Sequence, residues 1–421
     1  MSVLLEPDKA LLDCIFSHSK PTSITILSQT YEVCTFIAHL DATRPTEPLP
    51  GNVVVRLELP SKVPLRTVSA LQQLATLAIP EVVPAVFQTG TAKPGDGREI
   101  YFSVSAFVDN AVTLETVWDD LTDHQQSDIM DTVLDAVTKL QNLDLADESV
   151  LAILKAGGSG VFFKTTGKEG DVSSSNPNNV ALGNREIGFF NDMPNLLTAI
   201  IAYNGVSKKL TLSPSVSEPS DDNNGIVMAS TDEEIPTVLH IGRKDLESLQ
   251  RDAVLCHNDL EPRNLLVRPV DVVSDGGASI QRYDLAAIID WEMAGFFPFA
   301  YEYVTKDALL GSSNTSFSWY SLFKRRTAPL LPAELAQPSS NKSQTFLMEA
   351  MDRIQRSRGQ KRRNVGALFR ERWIERKQLV PGAFLGSGWV RRPDATSDVR
   401  VYRKEDNELL EEEVLKELGL L

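Results

Sequence analysis

The chain has 421 residues, and its 42 Lys and Arg against 57 Asp and Glu leave a formal charge of −15. That length allows two or three folding units at about 150 residues each, and the acidic total argues against binding driven by nucleic-acid phosphates. No run approaches the roughly 20 apolar residues of a membrane span, and MSVLLEPDKALLDC has no basic region ahead of an apolar stretch. The expectation is a cytoplasmic protein with neither membrane nor nucleic acid as partner. Cys14, Cys34 and Cys256 are too far apart in sequence for a disulfide framework or a CxxC metal site.

In chain order, residues 23–27 and 33–40 are β-branched apolar runs around the polar Ser28-Gln29-Thr30, as in a hairpin. A strand follows over 53–59, with Val53, Val55, Leu57 and Leu59 on one face and Val54, Arg56 and Glu58 on the other. The spacing of Val68, Leu71, Ala75 and Ala78 predicts a helix over 67–78, and 101–108 reads as a further strand. Ile129, Val133, Val137 and Leu140 predict a long helix over 123–143. Two soft stretches, 157–184 and 213–234, read as partly disordered surface insertions. The basic series over 353–377 surrounds Val365, Leu368, Phe369 and Trp373. It suits a helix with a packed stripe and a solvated basic face, or else a polyanion site. A last helix over 405–418 sets Leu410, Val414 and Leu418 on one side, for docking against the body, with Gly419 as its stop.

The chemistry concentrates in VLCHNDLEPRNLLV (254–267) and AAIIDWEMAG (286–295). A polar loop lies between two buried strands, and Pro262 keeps it out of a helix interior. Ser274, Asp275, Gly276 and Gly277 form a turn that lets the chain return as a second strand, which delivers Asp290 at its exit. The oxygens of Asp259, Asn264 and Asp290 are hard donors suited to Mg²⁺, and an Asp free of metal can orient a hydroxyl and take its proton.

His257-x-Asp259-x-x-x-x-Asn264 followed by Ile289-Asp290-Trp291-Glu292 resembles the aminoglycoside phosphotransferase and choline kinase superfamily, with Asn258 in place of the usual Gly. Gly295, Pro298 and Tyr301-Glu302 resemble that family's continuation. The resemblance implies an α+β, protein-kinase-like fold, with a small strand-rich nucleotide-binding lobe over 1–108 and a larger, mainly helical catalytic and acceptor-binding lobe over 109–421. It implies a kinase that uses ATP and Mg²⁺ to phosphorylate a hydroxyl of a small molecule. Asp259 would be the catalytic aspartate, Asn264 and Asp290 the metal ligands, and His257 a brace for the loop. Glu292 would assist the metal through water, or serve as a cap or salt-bridge partner. The hinge is expected at Ala106-Phe107-Val108, where Phe107 and its neighbours would meet the adenine.

The family's third strand carries a phosphate-binding Lys, and here Arg56 stands at its place. Its alternative is a solvated strand residue. The helix at 67–78 offers that cation only Gln72 and Gln73 where the family offers Glu, and Glu58 is too near in sequence to be an obvious substitute. The turn at Ser28-Gln29-Thr30 lacks the glycines of a phosphate-covering hairpin, leaving hydroxyls and amides to serve. These departures keep a second reading open, a pseudokinase or nucleotide-binding interaction protein with weak or no catalysis. The acceptor would be chosen by 151–250 and 300–421, which carry little motif content.

Overall fold

The computed structural model describes residues 4–17, 20–41, 49–95, 97–163, 180–215, 225–233, 235, 237–273, 279–331, 343–358, 364–395 and 404–421. The expected turn at 274–277, Asp96, and the centres of both soft stretches lie outside the described residues. The chain has a mixed α and β architecture with small antiparallel sheets. It divides into two compact units, each assembled from separate stretches. One comprises Met1–Asp119, Lys139–Phe189 and Arg263–Gly295; the other comprises Asp120–Thr138, Phe190–Pro262 and Phe296–Leu421. No helix among the described residues is long and apolar enough to cross a membrane.

The first unit opens with α1 (Lys9–Ile15), capped by the Asp8 carboxylate, which accepts the Leu11 N–H at 2.8 Å. Strands β1 (Ser23–Gln29), β2 (Val33–His39) and β3 (Asn52–Glu58) precede α2 (Leu65–Ala78), and β4 (Val86–Ala92) and β5 (Ile100–Ala106) follow it. They form one antiparallel sheet in the order β1-β2-β3-β5-β4. This is the expected sequence of hairpin, strand, helix and strands. Alternation decides its faces: Val53, Val55 and Leu57 are buried with Phe36, Phe102 and Val104, and Leu11 and Ile15 of α1 join that core. Arg56 stands on the opposite face of β3, across from Thr35 and Ser103.

Two expectations change here. Residues 157–162 are not loop: the helix Glu148–Phe162 runs through them, with a break at Gly158, whose φ is 142°. The glycine at 157 is required by packing, because a Cβ there would stand 2.3 Å from the Ala70 Cβ of α2. Likewise, the ends of the 213–234 stretch are ordered as strands. Leu210–Pro214, Ile226–Ser230 and Val238–Ile241 make a three-stranded antiparallel sheet of the second unit.

The remainder of the second unit is largely helical. Of the basic series, Arg353 and Arg356 lie in the helix Ser343–Ser357 and Arg370, Arg372 and Arg376 in the helix Val365–Arg376, whose Leu368 and Trp373 are buried; 359–363 lie outside the described residues. The last helix, Lys404–Glu417, joins Leu410 and Val414 to the core around Leu368 and Trp373 of that second helix, while Arg376 meets Glu413 at 2.5 Å on the rim. Gly419 then takes a left-handed φ of 68°, consistent with its expected role as a stop.

Candidate functional site

In the second unit, strand Ala253–Cys256 leads directly into His257, Asn258 and Asp259, all of them buried. Asn258 has a φ of 63°, in the left-handed region that glycine occupies freely and asparagine tolerates better than most residues. Asparagine is thus a residue suited to the backbone conformation this position requires. His257 accepts the Asp259 N–H on Nδ1 at 3.2 Å, which makes it the brace expected of it. The Glu261 N–H donates to the Asp259 carbonyl at 2.8 Å and tightens the turn.

Two charged side chains that motif reading had not placed in this loop hold it from the helix Phe299–Leu309. Glu302 accepts the Asn258 N–H at 3.1 Å. Lys306, one turn on, donates at 2.9 Å to both the Leu260 carbonyl and the Glu261 carboxylate. Side chains of the Lys306–Glu261 pair are only 3% and 1% exposed. Burial pushes the Glu302 carboxyl above its ordinary value, against the opposing pull of Lys306 and the Asn258 and His257 amides. Burial also raises the neighbouring Cys256 thiol, and Glu302 adds to that rise. The available sequence signal was a Glu and a Lys four apart inside the apolar FAYEYVTKDAL.

In the first unit, strands Leu265–Val273 and Ser279–Ile288 run antiparallel, with Leu265 opposite Ile288. Asn264 closes the short turn Pro262–Asn264 just before the first of these, and its carbonyl accepts the Ile289 N–H at 2.9 Å. Asp290 comes two residues after the end of the second strand. The two candidate ligands thus stand at the same end of one strand pair. Asp290 is exposed and left-handed, with φ 64° and ψ 62°. The chain reverses there as Trp291 buries its ring and donates its indole N–H to the Ile288 carbonyl at 3.0 Å. Backbone strain at a non-glycine residue is a recurrent mark of functional positions. Gly295 ends this segment, and a Cβ on it would meet the Gly183 carbonyl oxygen at 2.0 Å. Among the described residues, no group of three His, Cys, Asp or Glu side chains could by itself hold a metal ion. One amide and one carboxylate nonetheless fit Mg²⁺, which keeps water and phosphate oxygens in its other positions.

Arg56 is partly exposed and paired with carboxylates outside α2. Its side chain is 26% exposed, with Nη2 2.5 Å from the Glu292 carboxylate and Nε 3.5 Å from that of Glu58. Two-residue spacing puts Arg56 and Glu58 on one face of β3, so proximity in sequence is what makes Glu58 available. Gln72 is turned elsewhere and donates to the Pro84 carbonyl at 2.7 Å. Glu58, 4% exposed, is in turn held by Arg185, which also donates to the Ser61 hydroxyl at 2.6 Å. Glu292 takes the salt-bridge role left open for it by the sequence.

Phe107 follows the last residue of β5 and is half-buried. In the β1–β2 turn the Thr30 hydroxyl accepts the N–H groups of Glu32 and Val33 at 3.1 and 2.9 Å, and so is engaged within the turn itself.

No family model matches the chain, and no curated protein sequence matches it. Among solved structures, the chain is similar to a GDP complex of a point variant of aminoglycoside 2'-phosphotransferase-IIIa. Identity is 13%, 97% of this chain and 96% of that one are covered, and the TM-score is 0.38. It is also similar to the GDP and kanamycin complex of APH(2")-IIIa, with 12% identity, coverage of 83% and 98%, and a TM-score of 0.33. For spectinomycin phosphotransferase with ADP and spectinomycin, identity is 13%, coverage 88% and 95%, and the TM-score 0.32.

Proposed function

We propose that the protein is an ATP- and Mg²⁺-dependent phosphotransferase acting on a hydroxyl group of a small molecule. The observation that carries this reading is the placement of Asn264 and Asp290 at one end of a single strand pair, tied by the Ile289 N–H to the Asn264 carbonyl at 2.9 Å. Asn264 would hold Mg²⁺ through its amide oxygen and Asp290 through its carboxylate. The ion, when bound, neutralises charge on the nucleotide phosphates. Asp259, whose neighbours are fixed on both sides by hydrogen bonds, would orient the acceptor hydroxyl and receive its proton. Arg56 would meet the phosphates through its planar fork, and Phe107 would border the adenine. Phosphoryl transfer demands chiefly positioning and charge stabilisation, which this set can supply.

The test is ATP consumption over a panel of amino alcohols, sugars and aminoglycosides. Asp259→Asn is expected to lower turnover by at least about a hundredfold with folding intact, the scale of a lost general base. Asp290→Ala is expected to abolish the Mg²⁺ dependence of ATP binding. Full activity in Asp259→Asn, or an unaltered metal response in Asp290→Ala, would remove those residues from their roles. Nucleotide binding with no turnover of any acceptor would favour the pseudokinase reading, to which the engagement of Arg56 by Glu58 and Glu292 lends its support.

A further inference from the structure

Resting on the assignment of Arg56 to the nucleotide phosphates, we infer that Arg185 is a positioning residue for Arg56, acting through Glu58. Together the two replace the glutamate that the helix after the third strand would otherwise contribute.

The inference follows from how a cation must be held if it is to meet phosphate. A guanidinium on a strand needs a carboxylate to fix its rotamer, because its long side chain otherwise retains considerable rotamer freedom. Here α2 provides none, with Gln72 committed to the Pro84 carbonyl. Glu58 stands two residues along β3 with its carboxylate 3.5 Å from Nε of Arg56, an ion pair without a hydrogen bond, and Glu292 accepts from Nη2 at 2.5 Å. A carboxylate buried to 4% exposure is costly to keep charged with one distant partner at 3.5 Å. Arg185 removes that difficulty. Its two terminal nitrogens engage the two oxygens of Glu58, and Nη2 also donates to the Ser61 hydroxyl at 2.6 Å. The Arg185 side chain is itself 10% exposed, so it is a built part of the cluster. Burial and the nearby Arg56 both pull the Arg185 pKa down, as expected of two guanidinium groups gathered around one carboxylate. Arg185 therefore orders Glu58, and Glu58 holds the Nε edge of Arg56 by charge at 3.5 Å while Glu292 takes the hydrogen bond from its fork.

The experiment titrates the full chain with Mg·ATP and, separately, with adenosine, which lacks phosphates. Arg185→Gln is expected to weaken Mg·ATP by about tenfold, the scale of a lost charge-assisted contact, and to leave adenosine unchanged. Arg185→Lys should recover part of the loss. In an Arg56→Gln background, Arg185→Gln should add less than about twofold, since residues acting through one contact are not additive. Glu58→Gln should reproduce the Arg185→Gln pattern, and it carries the comparison if that variant fails to fold. Equal weakening of ATP and adenosine would make Arg185 a general fold support and overturn the inference, as would full additivity with Arg56→Gln. Wild-type affinity in Arg185→Gln beside a weakened Arg56→Gln would overturn it while sparing the functional reading. Unchanged Mg·ATP affinity in Arg56→Gln would instead overturn the role of Arg56 itself, and this inference with it.

Discussion

Glu302 and Lys306 stand one turn apart on one helix and hold the chain on either side of Asp259. The first accepts the Asn258 amide at 3.1 Å and the second donates to the Leu260 carbonyl at 2.9 Å. The loop is thus fixed by opposite charges from a rigid element, so its geometry is tested most directly by changing them.

Glu302 should leave a signature in the pH dependence of stability. Its folded-state pKa lies above the ordinary 4.5 because burial disfavours the carboxylate. A raised acid contributes stability that is fully present below 4.5 and is lost as pH rises through the higher folded value. Glu302→Gln, which can still accept the Asn258 amide, should therefore gain stability relative to wild type as pH rises above 4.5. Glu302→Ala should cost about 1–3 kcal/mol by leaving buried amides without an acceptor. Denaturant unfolding across this range checks both, and parallel pH profiles for wild type and Glu302→Gln would refute the assignment.

Lys306→Met should destabilise by about 3–5 kcal/mol, because it strands the Glu261 carboxylate in the interior. Lys306→Met combined with Glu261→Leu should recover much of that loss, since a buried pair is often replaceable by apolar packing. Urea unfolding of the single and double variants decides the point; a double variant as unstable as the single would contradict it.

At position 258 backbone conformation sets the outcome. Asn258→Gly should be tolerated, whereas Asn258→Val should cost about 1–3 kcal/mol for forcing a β-branched residue to a φ of 63°. Thermal melting of the two variants is sufficient to distinguish them, and equal melting temperatures would exclude a backbone cause.

Gly295→Ala should be among the most damaging single-methyl changes in the chain. The added carbon would stand 2.0 Å from the Gly183 carbonyl oxygen and 2.9 Å from the Asn184 Cβ, with backbone on one side unable to yield cheaply. Overpacking of this kind costs about 1–3 kcal/mol or more, which a loss of soluble yield or a lowered unfolding midpoint would report.

What could be read from the sequence divides along physical lines. The strands that frame HNDLEPRN and IIDWE were legible as continuous apolar runs at Val254-Leu255, Leu265–Val267 and Ala286–Ile289, while the roles given to the residues between them came from the family resemblance. Strands β1, β2, β3 and β5 were legible from their apolar patterns, whereas β4 (Val86–Ala92) was missed because its exposed and polar residues, VFQTGTA, carry no apolar alternation. Helix α1 was missed because seven residues with only Leu11 and Ile15 buried give too short a period to detect. The glycines of 157–160 suggested a loop because composition does not reveal the close approach to Ala70 that requires one of them. Arg185 could not have been found at all, since its partner Glu58 is 127 residues away and neither belongs to a motif.

The left-handed conformations of Asn258 and Asp290 act as a filter on sequence drift. Any descendant or cousin that keeps this chain path is confined at 258 and 290 largely to glycine, asparagine or aspartate, whether or not it transfers a phosphoryl group. Agreement between sequences at those positions therefore reports shared geometry first, and shared chemistry must be read from the side chains around them.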